Sequence, residues 1–194
     1  MSSIDSGQIS FRSVSAHDYE LLENWMRRSH WQEWWGEAET ELGYVRDMVE
    51  GRDTTRPYLF ALDGEPAGYI QAWMIGDHLT EPWLSETPWL RDVPSDSIGI
   101  DLAIGDVENL SRGLGTAALK AFAKMLIEEG HRHILIDPDA ANLRAIRAYQ
   151  KAGFEQLLIA PDPEHEGQST MIMQLSIDGN QAQSGNQTGI QHDR

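Results

Sequence analysis

The stretch from Ser97 to Phe154 restricts the fold more than any other. It opens with strict alternation: Ile98, Ile100, Leu102 and Ile104 in one set, and Gly99, Asp101, Ala103 and Gly105 in the other. A period of two puts the sets on opposite sides of a sheet, so Ser97 to Gly105 reads as a strand. The turn Leu110-Ser-Arg-Gly-Leu-Gly-Thr116 follows, and the period then changes to helical. Leu114, Ala118, Phe122, Met125 and Leu126 point inward from a helix over 114–129, with Gly130 as its stop. His133 to Asp137 is the next strand, and Ala141 to Ala152 the next helix, stopped by Gly153.

The flanks fill in a sheet with helices. Ile9 to Val14 is a first strand. Ser15 with Asp18 forms a capping-box signature ahead of an amphipathic helix over roughly 16–29, whose apolar face is Leu21, Leu22, Trp25 and Met26. Ser29 to Gly36 is an aromatic break. A second helix covers about 37–50 on the stripe Leu42, Val45 and Val49, with Gly51 as its stop. Tyr58 to Leu62 and Ala67 to Ile75 are strands around Asp63-Gly64, a hairpin signal. Gly76 to Ser97 has no period and reads as a long loop. Two closing strands fall near 154–160 and 170–177. Residues 178–194 are Gln, Asn or Gly at nine of 17 positions, which predicts a disordered tail. The expected fold is a single α/β (α+β) domain over 1–177.

Composition narrows the function classes. The chain of 194 residues has no cysteine, which excludes disulfides, thiolate metal sites and a thiol nucleophile. Its first ten residues carry neither a basic nor an apolar leader region, and no apolar run reaches the roughly 18 residues of a membrane helix. A cytoplasmic protein, monomeric or weakly dimeric, is expected. With 31 acidic against 15 basic residues the formal net charge is −16. Such a field repels nucleic acid and anionic membranes and attracts polycations.

Three constellations could carry chemistry. Gly113 and Gly115 open a helix, where free amides and the dipole favour phosphate; a plain tight turn is the other reading. No Gly-Lys-Ser/Thr follows and the third glycine of a dinucleotide fingerprint is missing. Asp101 lies between glycine and alanine, which leaves room for a ligand unless it is only an outer-face acid. Asp137 ends a strand, where ligands of α/β proteins gather, while Asn142 and Tyr149 share a helix face and Tyr149 taken alone reads more readily as core. The long loop and the strand after it bring Asp77, Glu81, Glu86, Asp92, Asp96 and Asp101 against Arg91 alone, interleaved with Trp83 and Trp89; Trp34 and Trp35 come from the aromatic break. Carboxylates match ammonium groups and indoles match sugar faces, though tryptophans folded inward under a solvated acidic loop are the alternative. His131, His133 and Asp137 could suggest a metal, but the histidines read as surface groups, so no metal is expected. Arg144, Arg147 and Lys151 suit either phosphates or a solvated helix face.

The two-glycine helix start followed by Asn142-Leu-Arg-Ala-Ile-Arg-Ala-Tyr-Gln-Lys-Ala-Gly-Phe154 resembles the acetyl-CoA elements of the GNAT superfamily. Ser29-His30, Glu33-Trp-Trp-Gly36, Gly64-Glu-Pro66 with Gly68-Tyr69, Gly99-Ile-Asp101 and Asp137-Pro138 extend the likeness to aminoglycoside 6′-N-acetyltransferases over Val14 to Phe154. The resemblance implies a GNAT fold, a mixed and partly antiparallel sheet flanked by helices. It implies acetyl-CoA as cosubstrate and a cationic aminoglycoside as acceptor. Arg112, Gly113, Leu114, Gly115 and Thr116 would hold the pyrophosphate by their amides, with Ile104, Asn142 and Ala145 along the pantetheine arm. Asp101 would be the general base and Tyr149 the general acid, with Trp34, Trp35, Trp83, Glu86, Trp89, Asp101 and Asp137 around the acceptor. Leu110 departs from the wider pattern of Gln or Arg three residues before the first glycine. Rival readings are a siderophore-type hydroxylysine N-acyltransferase, whose strand resembles this one with His in place of Asp101, a protein-amine acetyltransferase, and a non-catalytic acyl-CoA-binding module.

Overall fold

The computed structural model describes residues 4–163 and 166–175; the expected tail at 178–194 and the end of the last expected strand lie outside them. Seven strands form one sheet in the order β1-β2-β3-β4-β5-β7-β6. They are β1 (Ile9–Ser13), β2 (Arg56–Leu62), β3 (Glu65–Met74), β4 (Ile98–Ile104), β5 (Ile134–Ile136), β6 (Phe154–Pro161) and β7 (Ser169–Leu175). All neighbours are antiparallel except β4 and β5. This is the mixed, partly antiparallel sheet expected from the sequence. Asp63 and Gly64 take φ of 52° and 88°, the two left-handed residues of a tight β2–β3 turn.

Helices cover both faces. Alternation along the strands sends Phe60, Ile70 and Ile104 into one cluster and Leu59, Tyr69 and Ala103 into another. The first cluster packs under α3 (Leu114–Glu128) and α4 (Leu143–Ala152). The second packs under α1 (Tyr19–Met26) and α2 (Ala38–Val49). The expected helix over 16–29 is thus shorter and divided. Ser15 and Asp18 do form the capping box, but around a 3-10 turn, and the extended backbone of Arg28 separates α1 from a one-turn helix at Ser29–Gln32. Arg12 donates to Asp18 at 2.6 Å, and that bond holds the carboxyl at about 2.

The segment read as a loop, 76–97, is folded. It contains a one-turn helix at Trp83–Glu86 between two 3-10 turns. Trp89, Leu90 and Val93 join Ile75, Leu135 and Ile172 in a third apolar cluster. Among the described residues no helix is long and apolar enough to cross a membrane.

The functional opening comes from a split between β4 and β5. Their parallel ladder holds only at Ile98–Ile134 and Gly99–Leu135. The β3–β4 ladder continues past that point as far as Gly68–Ile104. β5 ends because the chain runs into Asp137-Pro138, and proline has no N–H to extend the ladder. Beyond Gly99 one edge of β4 therefore faces open space.

Candidate active site

A cleft of about 720 Å³ fills this split, well within the size range of small-molecule sites. Its floor is β4. Ile98 donates its N–H to His133 C=O toward β5, and Gly105 donates to Ala67 C=O toward β3. Backbone groups alternate along a strand, so Leu102 turns its N–H to the cleft side. Ile104 C=O lies on the same side and accepts from Trp31 Nε1 at 2.7 Å, with His30 Nε2 at 3.0 Å. Arg28 closes the strand end through Asp106 and the Gly105 carbonyl. These contacts explain the aromatic break. They fix its first half to the end of β4 and set Trp34 and Trp35 in the cleft wall.

The wall beside α3 is made of backbone. Gly113 is the N-cap at φ 88°, a left-handed conformation that a side chain would strain. The first intrahelical bond is Ala117 N–H to Gly113 C=O, so the amides of Leu114, Gly115 and Thr116 precede the repeating ladder. Gly113, Gly115 and Thr116 line the cleft. Thr116 Oγ1 donates to Ala148 C=O at 3.0 Å and ties this helix start to α4. Two residues expected at the cosubstrate lie outside the lining: Leu114 is buried in the core, and Arg112 is exposed. From α4, Asn142, Ala145 and Tyr149 line the cleft, as do Arg144, Arg147 and Lys151. Asn142 spends its side-chain oxygen on capping α4, accepting from Ala145 N–H at 3.1 Å. Its NH₂ remains a donor. The free helix-start amides and the basic strip fit a phosphate-bearing cosubstrate.

The opposite part of the cleft is acidic. Asp101 and Asp137 stand two residues past Gly99 and Leu135, the last parallel pair, on the same sheet face and across the gap. Asp101 is paired with Gln71 on β3. Tyr69 Oη donates to Gln71 Oε1 at 2.6 Å, and Gln71 Nε2 donates to Asp101 Oδ2 at 2.7 Å. The phenol thereby fixes which way the amide points. Burial pushes Asp101 up, against the hydrogen bond from Gln71. Burial raises Asp137 well above the usual carboxylate range, and the charge of Asp101 adds to it. Burial also raises the Tyr149 phenol, so it stays protonated.

The sequence suggested that Gly99, beside Asp101, leaves room for a ligand; the structure fills that space, and the space at Gly105 too. A Cβ at Gly99 would come within 2.4 Å of the Trp73 indole, and one at Gly105 within 2.3 Å of Trp25. The glycines accommodate indoles, and Asp101 reaches the cleft through the strand split instead.

Three expected acceptor residues are not brought to the cleft. Trp89 is buried in the third cluster with Leu135 and Ile172. Trp83 stacks edge-on to His78 at 4.7 Å, and Glu86 is exposed; neither lines the opening. Apolar burial at the loop root outweighed any pull toward the site. Gln71 and Glu41 line the cleft and are not among the residues expected there. Gln71 is set by the β3–β4 register, which a connection of this length hides from the sequence. Glu41 had a signal: Ala38, Glu41, Leu42 and Val45 share one helical stripe, so it is a carboxylate on a buried face. His131 lies 3.8 Å from Glu129 and His133 3.4 Å from Gln174.

An acetyltransferase (GNAT) domain model matches residues 15–159. The chain is 36% identical over 156 residues to an aminoglycoside N(6′)-acetyltransferase type 1 of Klebsiella pneumoniae, spanning 76% of this chain and 74% of the relative. Among solved structures it is similar to AAC(6′)-Ib in complex with paromomycin and acetyl-CoA, at TM-score 0.73 and 31% identity over 87% of this chain and 93% of that one. The same enzyme with coenzyme A and kanamycin gives TM-score 0.72 and 31% identity over 87% and 94%.

Proposed function

The chain belongs to the GNAT acetyltransferase family, and we propose that it moves the acetyl group of acetyl-CoA to the 6′-amine of an aminoglycoside. The observation that carries this reading is the cleft itself. Helix-start amides and a basic strip lie along one side, and Asp101 with Asp137 on the other, at a break in the sheet. The likeness to enzymes solved with acetyl-CoA, paromomycin and kanamycin supports the same pair of substrates.

In this reading the thioester of acetyl-CoA supplies the acetyl group. The amides of Gly115 and Thr116 bind its pyrophosphate and Asn142 its pantetheine arm. An alkylamine arrives mostly as ammonium, which cannot attack. Asp101 receives the ammonium and takes its proton as attack proceeds, held in orientation by Gln71. Asp137 fixes the acceptor across the gap. Leu102 N–H donates to the carbonyl oxygen as charge develops there. Tyr149, kept neutral by burial, gives its proton to the departing sulfur and regains one from the nitrogen, which sheds its second proton as the tetrahedral intermediate collapses. With no cysteine in the chain, direct transfer suits these groups better than an acyl-enzyme.

Incubation with acetyl-CoA and kanamycin, following CoA release and locating the acetyl group by mass spectrometry and NMR, tests the reading. Release at the 6′-amine is expected. No release across a panel of aminoglycosides, with release on hydroxylysine or peptides, overturns it.

A further inference from the structure

Four carboxylates line the cleft, and one has neither a role in the reaction as described nor a hydrogen-bond partner. Asp101 accepts from Gln71 and Asp139 from the Ala141 amide. Asp137 stands across the gap, at the acceptor. The Glu41 carboxylate makes no hydrogen bond or ion pair among the described residues. It nonetheless sits on the buried stripe of α2, between Ala38 and Val45, where the helix meets the sheet. Gly36 keeps space beside it, since a Cβ there would lie 3.3 Å from Glu41 Oε1. A half-buried acid without a partner is costly, and sequences rarely keep one without a cation to meet it.

We infer that Glu41 is a binding residue for a second ammonium group of the acceptor, received on the α2 side of the cleft while the reacting amine sits at Asp101. This rests on the reading that the cleft accepts a polyamine. The geometry explains why α2 carries a carboxylate within an apolar stripe: a multiply charged acceptor supplies the missing counter-ion. Burial, with the charge of Asp101 adding to it, raises Glu41 to about 7, consistent with a group awaiting a cation. An acceptor with a single amine would leave Glu41 unmatched, so the residue selects for charge number rather than for the chemistry at the thioester.

The test compares wild type with Glu41→Gln and Glu41→Asp on two acceptors: kanamycin, and a methyl 6-amino-6-deoxyglucoside carrying one amine. For Glu41→Gln, KM for kanamycin should rise about tenfold or more, the weight of a charge-assisted hydrogen bond, with kcat within about threefold. KM for the monoamine should change less than about twofold on the same reasoning. Glu41→Asp should recover part of the kanamycin affinity. An unchanged kanamycin KM overturns the inference, as does an equal rise for both acceptors. A collapse of kcat at constant KM would instead put Glu41 at the reacting amine and equally overturns it. Wild type inactive on every aminoglycoside is a separate result: it removes the proposed function itself, whereas active wild type with an indifferent Glu41→Gln removes only this inference.

Discussion

The two halves of the cleft are built differently. The half beside α3 is one continuous segment of backbone, Ser111 to Thr116, whose geometry is set by a left-handed glycine and a helix start. The acidic half is assembled from side chains on α2, β3, β4 and the end of β5, held by a relay from Tyr69 through Gln71 to Asp101. A backbone site tolerates change in most side chains but not in conformation. A side-chain site tolerates backbone variation elsewhere but fails when one group is lost.

That contrast can be broken by exchanging the kind of damage. The largest effect belongs to Asp101→Ala. It should lower kcat/KM by about a thousandfold, in the range of a lost general base, and leave the acetyl-CoA Kd within about twofold because no α3 amide moves. Calorimetric titration beside steady-state kinetics reads both numbers. Weakened acetyl-CoA binding in this variant would show that the halves are not separate.

Gly113→Val should do the reverse. Nothing lies within 4 Å of a Cβ at that position, so crowding is not the cost. The cost is the positive φ, about 1–2 kcal/mol for a residue with a side chain. Relief of that strain displaces the amides, and the acetyl-CoA Kd should rise about tenfold while the pH profile set by Asp101 is unmoved. A shifted profile would refute the division.

Gln71→Met sharpens the acidic side. Gln71 donates to the ionised form of Asp101, so its loss raises that carboxyl further, in the direction burial already pushes it. A raised acid is deprotonated only at higher pH. The acidic limb of kcat/KM should therefore move upward, giving a deficit that grows as pH falls, toward about tenfold for each unit of movement well below the limb, and that disappears at alkaline pH. A deficit constant across pH would mean that Gln71 acts on packing rather than on the proton.

The same contrast explains what could be read from the sequence. The helix start, the strand with Asp101 and the helix with Tyr149 are local patterns, because turn geometry and periodicity depend on neighbours within a few residues. The β4–β5 split was not legible: it depends on a three-residue strand that stops at Ile136, ahead of Pro138, while β4 continues. Gln71 was invisible for a related reason, since its pairing with Asp101 spans the 75–97 connection. Trp73 occupies the space over Gly99, which a single strand read alone assigns to a ligand. The acidic, tryptophan-rich segment shows the limit of composition. Its residues match a polycationic sugar in kind, but kind says nothing about direction.

Direction makes the smallest prediction the most discriminating. Trp83 is 42% exposed with its ring edge-on to His78, and Glu86 lies in the same one-turn helix outside the cleft. Trp83→Ala and Glu86→Gln should each change the kanamycin KM by less than about twofold, as expected for exposed positions whose charge is screened within roughly 10 Å. Acidity alone would predict otherwise, because Glu86→Gln removes one of the charges that draw a polycation. Discrimination requires measuring both variants at two ionic strengths. A small effect of Glu86→Gln that vanishes with salt is long-range attraction, whereas a large, salt-resistant rise in KM would place the 83–89 segment against the acceptor. Trp89 offers the internal control: buried against Leu135 and Ile172, its truncation should lower Tm by far more than it alters KM.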